Sequence, residues 1–131
     1  MSKHWTPQLG HQHVTIHSEE PLHEGFFLLK KLKLSHRRFD GGDVTVEREL
    51  FHRDDAVGVL LYDPDREHVV LVEQFRTGAL DHPRSPWCLE LVAGMVKPGE
   101  PHEQVARREA EEDAGATLGE LMPITRYMSS P

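Results

Sequence analysis

The stretch Glu100–Asp113, EPHEQVARREAEED, constrains this chain more than any other. Glu100, Glu103, Glu109, Glu111, Glu112 and Asp113 make six of its fourteen residues acidic. Residues 102–114 are helix formers without a break. Pro101 suits the first turn, where its missing N–H costs nothing, and Gly115 stands as the C-terminal stop. The apolar face of this predicted helix is thin: Val105, Ala106, Ala110 and Ala114. Small alanines permit close approach to a sheet, so the helix can pack on one side. Glu109, Glu112 and Asp113 fall at i, i+3 and i+4, which puts three carboxylates on one face. Like charges so placed destabilise an isolated helix. A hard divalent cation reverses that sign, because Mg²⁺ takes oxygen ligands and shares them with phosphates. From the helix alone, a solvated acidic face paired with Arg107 and Arg108 is the commoner reading.

The rest of the chain supplies strands. Ala56–Tyr62, His68–Gln74 and Trp87–Val96 are short apolar runs that read as buried strands, with the turn Asp63-Pro64-Asp65-Arg66 between the first two. Thr77–Pro86 reads as a loop, and Pro123–Met128 as one further strand. Upstream, Phe26–Leu34 and Val44–Phe51 flank the turn signal Asp40-Gly41-Gly42-Asp43 and predict a hairpin. Before it lies a loosely held arm with one short strand near His13–His17. The texture changes at Asp54-Asp55. The expected organisation is an arm and β-hairpin subdomain over 1–52, serving dimerisation and substrate contacts, then a domain over 53–131.

From Gly94 the sequence runs GMVKPGEPHEQVARREAEEDAGA. It resembles the Nudix box: Gly, five residues, Glu, seven residues, Arg-Glu, an apolar residue, any residue, Glu-Glu, any residue, Gly and an apolar residue. Gly94, Glu100, Arg108, Glu109, Ala110, Glu112, Gly115 and Ala116 fall in place. One position departs: Asp113 stands where the family has the second glutamate of the pair. Aspartate keeps the charge but shortens the reach by one carbon–carbon bond, about 1.5 Å. The resemblance implies an α+β Nudix fold, a mixed sheet sandwiched by helices.

Further segments resemble the ADP-ribose pyrophosphatase branch of that family: Gly25-Phe26-Phe27, Arg48–Phe51, Val72–Arg76, Pro86–Gly94 and Tyr127–Pro131. This resemblance implies hydrolysis of ADP-ribose to AMP and ribose 5-phosphate. It implies that the Ala93 carbonyl, Glu109, Glu112 and Asp113 hold Mg²⁺, with Mn²⁺ as the alternative. It places Phe26, Arg48, Glu49, Arg76 and Met95 at the substrate. Arginine suits such positions because its planar fork grips diphosphate oxygens. Glu90, in an apolar run, needs a partner, and Arg76 is the candidate. Arg108 is expected to pair with a box glutamate and, with Glu100, to brace the loop after Gly94. The catalytic base stays unassigned. A nucleotide sugar of the GDP-mannose type is the alternative substrate, and a non-catalytic nucleotide-binding remnant the alternative from another class.

A net charge of −7 argues against a nucleic-acid partner. It does not argue against a nucleotide held through divalent metal. No apolar run approaches the length of a membrane span, and Met1–Trp5 lacks the apolar core of a signal peptide, so a cytoplasmic protein is expected. The single cysteine, Cys88, reads as a small buried thiol. His11 and His13 would share one face of a strand, a possible metal pair that nothing completes. Members of the branch continue past the Ser-Ser-Pro at which this chain ends, and the resemblance implies a homodimer for the intact relatives. The expectation is therefore a truncated chain, with open sheet edges and an uncovered apolar face.

Overall fold

The computed structural model describes residues 4–130. The chain divides into two compact units, Met1–Arg53 and Asp54–Pro131.

The N-terminal unit is a three-stranded antiparallel sheet in the order β1 (Val14–Glu24), β2 (Leu28–Arg37), β3 (Asp43–His52). The expected hairpin is β2–β3, and its register runs from Leu28↔His52 to Arg37↔Asp43 without a shift. It turns through Gly41 (φ +92°) and Gly42 (φ +72°), a left-handed path that only glycine takes cheaply. The short strand expected near His13–His17 instead extends to Glu24, so the hairpin has a third strand. Polar residues obscure β1 in the sequence; pairing with β2 is what makes it a strand. Pro21 is tolerated because β1 is an edge strand and its register shifts between Pro21 and His23. The expected His11/His13 strand face is not formed. Both lie in a single 3₁₀ turn, His11–His13, where His13 Nδ1 accepts the Gly10 N–H at 3.0 Å.

In the C-terminal unit each of the three apolar runs is cut once, and each half pairs elsewhere. The first run gives β4 (Ala56–Val59) and β5 (Leu61–Asp63), broken at Leu60. The second gives β6 (His68–Val70) and β7 (Val72–Phe75), broken at Leu71. The third gives β8 (Trp87–Glu90) and β9 (Val92–Met95), broken at Leu91. β4 pairs with β9, β5 with β6 and β7 with β8, all antiparallel. Every run therefore pairs with both of the others, in a cycle. The β5–β6 turn uses the expected chemistry: Asp63 Oδ1 accepts the Asp65 N–H at 3.0 Å.

Helix α1 (His102–Ala114) matches its expected bounds, with Pro101 one position earlier than predicted, as the cap. Gly115 ends it at φ +60°, and the Ala116 N–H closes it onto the Ala110 carbonyl at 3.0 Å. Its small stripe works as anticipated. Val105, Ala106 and Ala110 are buried, and the two alanines join Val59, Leu61 and Val92 in the core, with Val57, Val72 and Ala114 at its margin. Among the described residues, every buried hydrophobic side chain lies in this unit.

The strand expected over Pro123–Met128 does not form. The residues are strand formers, but among the described residues no neighbouring strand pairs with them, and an unpaired strand cannot satisfy its backbone. Ile124, Tyr127 and Met128 are 78–79% exposed. Among the described residues, no helix is long and apolar enough to cross a membrane.

Candidate active site

The site in the C-terminal unit begins at Gly94 on β9. A Cβ at this position would overlap the carboxyl of Glu109. Glycine is therefore needed because the α1 carboxylate lies directly against the strand at this residue. The β4 strand runs opposite, with Val57↔Gly94 and Gly58↔Ala93 in register. Burial of Ala106 and Ala110 sets the helix this close.

Arg108 organises the acids around that seat. Its Nη1 donates to Glu109 Oε1 at 2.5 Å and stands 3.6 Å from Glu112 Oε2. Its Nε and Nη2 reach Glu100 at 3.3–3.4 Å. Glu100 Oε2 in turn accepts the Lys97 N–H at 3.2 Å, so the loop after β9 is tied to the helix. That loop turns at Gly99, φ +77°. The Lys97 N–H, with help from Arg108, holds the Glu100 carboxyl below the usual glutamate range. The Glu100 and Glu109 carboxylates push the Arg108 guanidinium above its ordinary value.

A second charged unit lies on the β7–β8 pair. Arg76 Nε donates to both oxygens of Glu90, at 2.8 and 3.0 Å, and Nη2 donates to Oε2 at 2.5 Å. The hydrogen bonds lower the Glu90 pKa and raise that of Arg76. The negative charge of Asp113 adds to the field on Arg76, which links this pair to the acidic helix. Cys88, on the same strand as Glu90, is a free, half-buried thiol.

The candidate metal donors, the Ala93 carbonyl with Glu109, Glu112 and Asp113, are all oxygens. That chemistry fits a hard divalent cation, and the room opened at Gly94 fits a carboxylate held against the strand. As the side chains stand, no three His, Cys, Asp or Glu residues among those described converge to hold an ion. Glu109 is turned onto Arg108, and Glu112 is 60% exposed.

The other substrate candidates lie in the N-terminal unit. Phe26 is 84% exposed, with its ring edge-on to Phe27. Strand alternation sends Arg48 and Glu49 to opposite faces of β3, although both border a shallow hollow with Leu22, Lys31 and Glu47. Arg48 Nη1 donates to the Glu47 carbonyl at 2.8 Å.

One structural role escaped the sequence reading, which gave Arg107 only as a partner of the acidic face. Arg107 pairs with Glu103 as the i, i+4 spacing suggests. It also donates to the Leu118 and Gly119 carbonyls, at 2.8 and 3.1 Å. It thereby holds the segment after α1, and no local pattern signals those carbonyls.

A family model described as the NUDIX domain matches residues 52–130. The chain is 47% identical over 124 residues to an ADP-ribose pyrophosphatase of Haemophilus influenzae, covering 92% of this chain and 57% of that protein. It is 44% identical over 123 residues to the ADP-ribose pyrophosphatase of Escherichia coli K12, covering 93% and 59%. A GDP-mannose pyrophosphatase of Citrobacter koseri is 29% identical over 121 residues, covering 92% and 63%. Among solved structures, an ADP compounds hydrolase superposes with a TM-score of 0.56 at 25% identity, over 79% of this chain and 52% of that one. The chain thus spans less than two thirds of the length of these relatives.

Proposed function

Because this chain belongs to the Nudix family, we propose that it hydrolyses the diphosphate of ADP-ribose, with water, to AMP and ribose 5-phosphate in a Mg²⁺-dependent reaction. The observation that carries the reading is the Glu109 carboxylate seated on Gly94, with Glu112 and Asp113 on the same helix. Glu109, Glu112, Asp113 and the Ala93 carbonyl would hold the cation. When bound, Mg²⁺ neutralises phosphate charge and lowers the pKa of a coordinated water.

The chain's own side chains supply orientation. Glu90 occupies the Nε–Nη2 edge of Arg76, which leaves Nη1 to meet one phosphate oxygen. Glu100 and Arg108 fix the loop after Gly94. Phe26, Arg48, Glu49 and Met95 are the proposed contacts to the nucleoside and ribose. The reading includes a cytoplasmic homodimer to which the N-terminal unit contributes. No residue is assigned as catalytic base. ADP-ribose is preferred to GDP-mannose because identity is 47% to a pyrophosphatase named for the former and 29% to one named for the latter.

The test is AMP release from ADP-ribose by the purified chain with Mg²⁺, beside a Glu109→Gln, Glu112→Gln control. Release that the control abolishes is the expected result. A folded chain that binds ADP-ribose without releasing AMP would instead be a nucleotide-binding module, and the hydrolytic reading would fall.

A further inference from the structure

We infer that Arg108 competes with the metal for Glu109, so that loading the site is an exchange of one cation for another. The inference rests on the proposed metal site and concerns how this chain fills it. Glu109 is mostly buried against Gly94, its side chain 14% exposed. A carboxylate so placed needs a counter-charge whether or not metal is present. Arg108 Nη1 provides one at 2.5 Å. That bond turns Glu109 onto Arg108, and no three candidate ligands among the described residues converge.

The guanidinium also has somewhere to go. Its Nε and Nη2 already lie 3.3–3.4 Å from Glu100, which the Lys97 N–H pins in place. Breaking the Nη1 bond therefore leaves Arg108 paired. The exposed carboxylates of Glu112 and Asp113 meet an incoming cation first, and Glu109 then turns from Arg108 to complete the set. Arg108 thus offsets the charge of Glu109 until a cation arrives, and weakens the first metal's hold.

This role differs in sign from that of an orienting residue. Removing an orienting partner weakens metal binding, by about 10–100-fold. Removing a competing positive charge a few ångströms from a divalent ion tightens it, by roughly three- to tenfold in water with salt.

The probe is Mn²⁺ alone, its free concentration read by electron paramagnetic resonance against the full chain, the Arg108→Gln variant and the Arg108→Lys variant. The expected result is tighter Mn²⁺ binding by Arg108→Gln, binding near the unaltered chain's by Arg108→Lys, and a lower melting temperature for metal-free Arg108→Gln. Equal or weaker binding by Arg108→Gln overturns the inference but leaves the metal site standing. If neither chain binds Mn²⁺, the metal reading itself falls, and this inference with it. A second readout needs no stable variant. In the unaltered chain labelled with ¹⁵N-arginine, Mg²⁺ should shift the Arg108 guanidinium resonance more than that of Arg107. Metal binding without that shift also overturns the exchange.

Discussion

In the N-terminal sheet the ion pairs lie across strands or turns at the surface: Lys31 faces Glu47 at 3.4 Å, Arg37 faces Asp43 at 2.7 Å, and Arg38 faces Asp40 at 2.9 Å. In the C-terminal unit one guanidinium, Arg108, is shared among Glu100, Glu109 and Glu112. Arg76 and Glu90 form a multi-contact pair within the field of Asp113. The pairs of the first arrangement share no member, so each can be lost without consequence for its neighbours. The second concentrates charge around a buried stripe, and moving one member moves the rest. Pairs that cap a sheet surface are screened and weak. Charges that share partners on a core are coupled, so a cation that engages one of them is felt by the others.

That contrast predicts a graded set of responses. Val92 is completely buried under α1, and Val92→Asp should cost more than about 4 kcal/mol, since an unpaired buried charge is among the most destabilising changes. Urea unfolding of the C-terminal unit is the measurement; an unchanged midpoint would break the claim that this core seats the helix. Next, Gly94→Ala should displace Glu109 and weaken Mn²⁺ binding by about 10–100-fold, read by titration with the chain still folded by circular dichroism.

A double-mutant cycle on Arg76 and Glu90 should give a coupling of about 1 kcal/mol, the upper end for partly exposed pairs. The same cycle on Lys31 and Glu47 should give roughly 0.2–0.5 kcal/mol. Equal couplings would erase the distinction between the units.

The smallest effect is with pH. The folded-state pKa values of Glu90 and Glu100 lie below the ordinary 4.5. Their stabilisation is therefore complete above that value and is lost as pH falls through the depressed folded-state values. The Arg76→Ala variant should lose part of this acid sensitivity, and melting curves between neutral and acid pH would show it.

How much could be read from sequence depended on how local the cause was. Helix α1 was legible because Pro101, the helix formers and Gly115 act within a few residues. The β2–β3 hairpin was legible because Gly41 and Gly42 demand a turn. The seat of Glu109 on Gly94 was not legible, because the box gives their spacing along the chain and not their contact; the Arg76–Glu90 pair followed from a carboxylate set in an apolar run. The cuts at Leu60, Leu71 and Leu91 were not legible, because they record a choice between two partners that neither apolar run specifies. Strand β1 and the segment 123–128 show the same limit from opposite sides: a polar stretch becomes a strand because β2 pairs with it, and an apolar one does not because nothing does. Arg108 was read as a brace; that its Nη1 occupies the very carboxylate meant for metal depends on a side-chain geometry no spacing reveals.

The cyclic pairing of the three apolar runs also has a kinetic consequence. β5 and β6 meet across one tight turn and can form early, whereas β4 meets β9 only when Val59 reaches Val92, far along the chain. Long loop closures are slow because their entropy is spent before any contact forms. The strand that carries Gly94 is the one that closes the cycle. The seat for Glu109 therefore comes into being at the slowest step, and during refolding the capacity to bind a cation should lag behind the appearance of strand and helix.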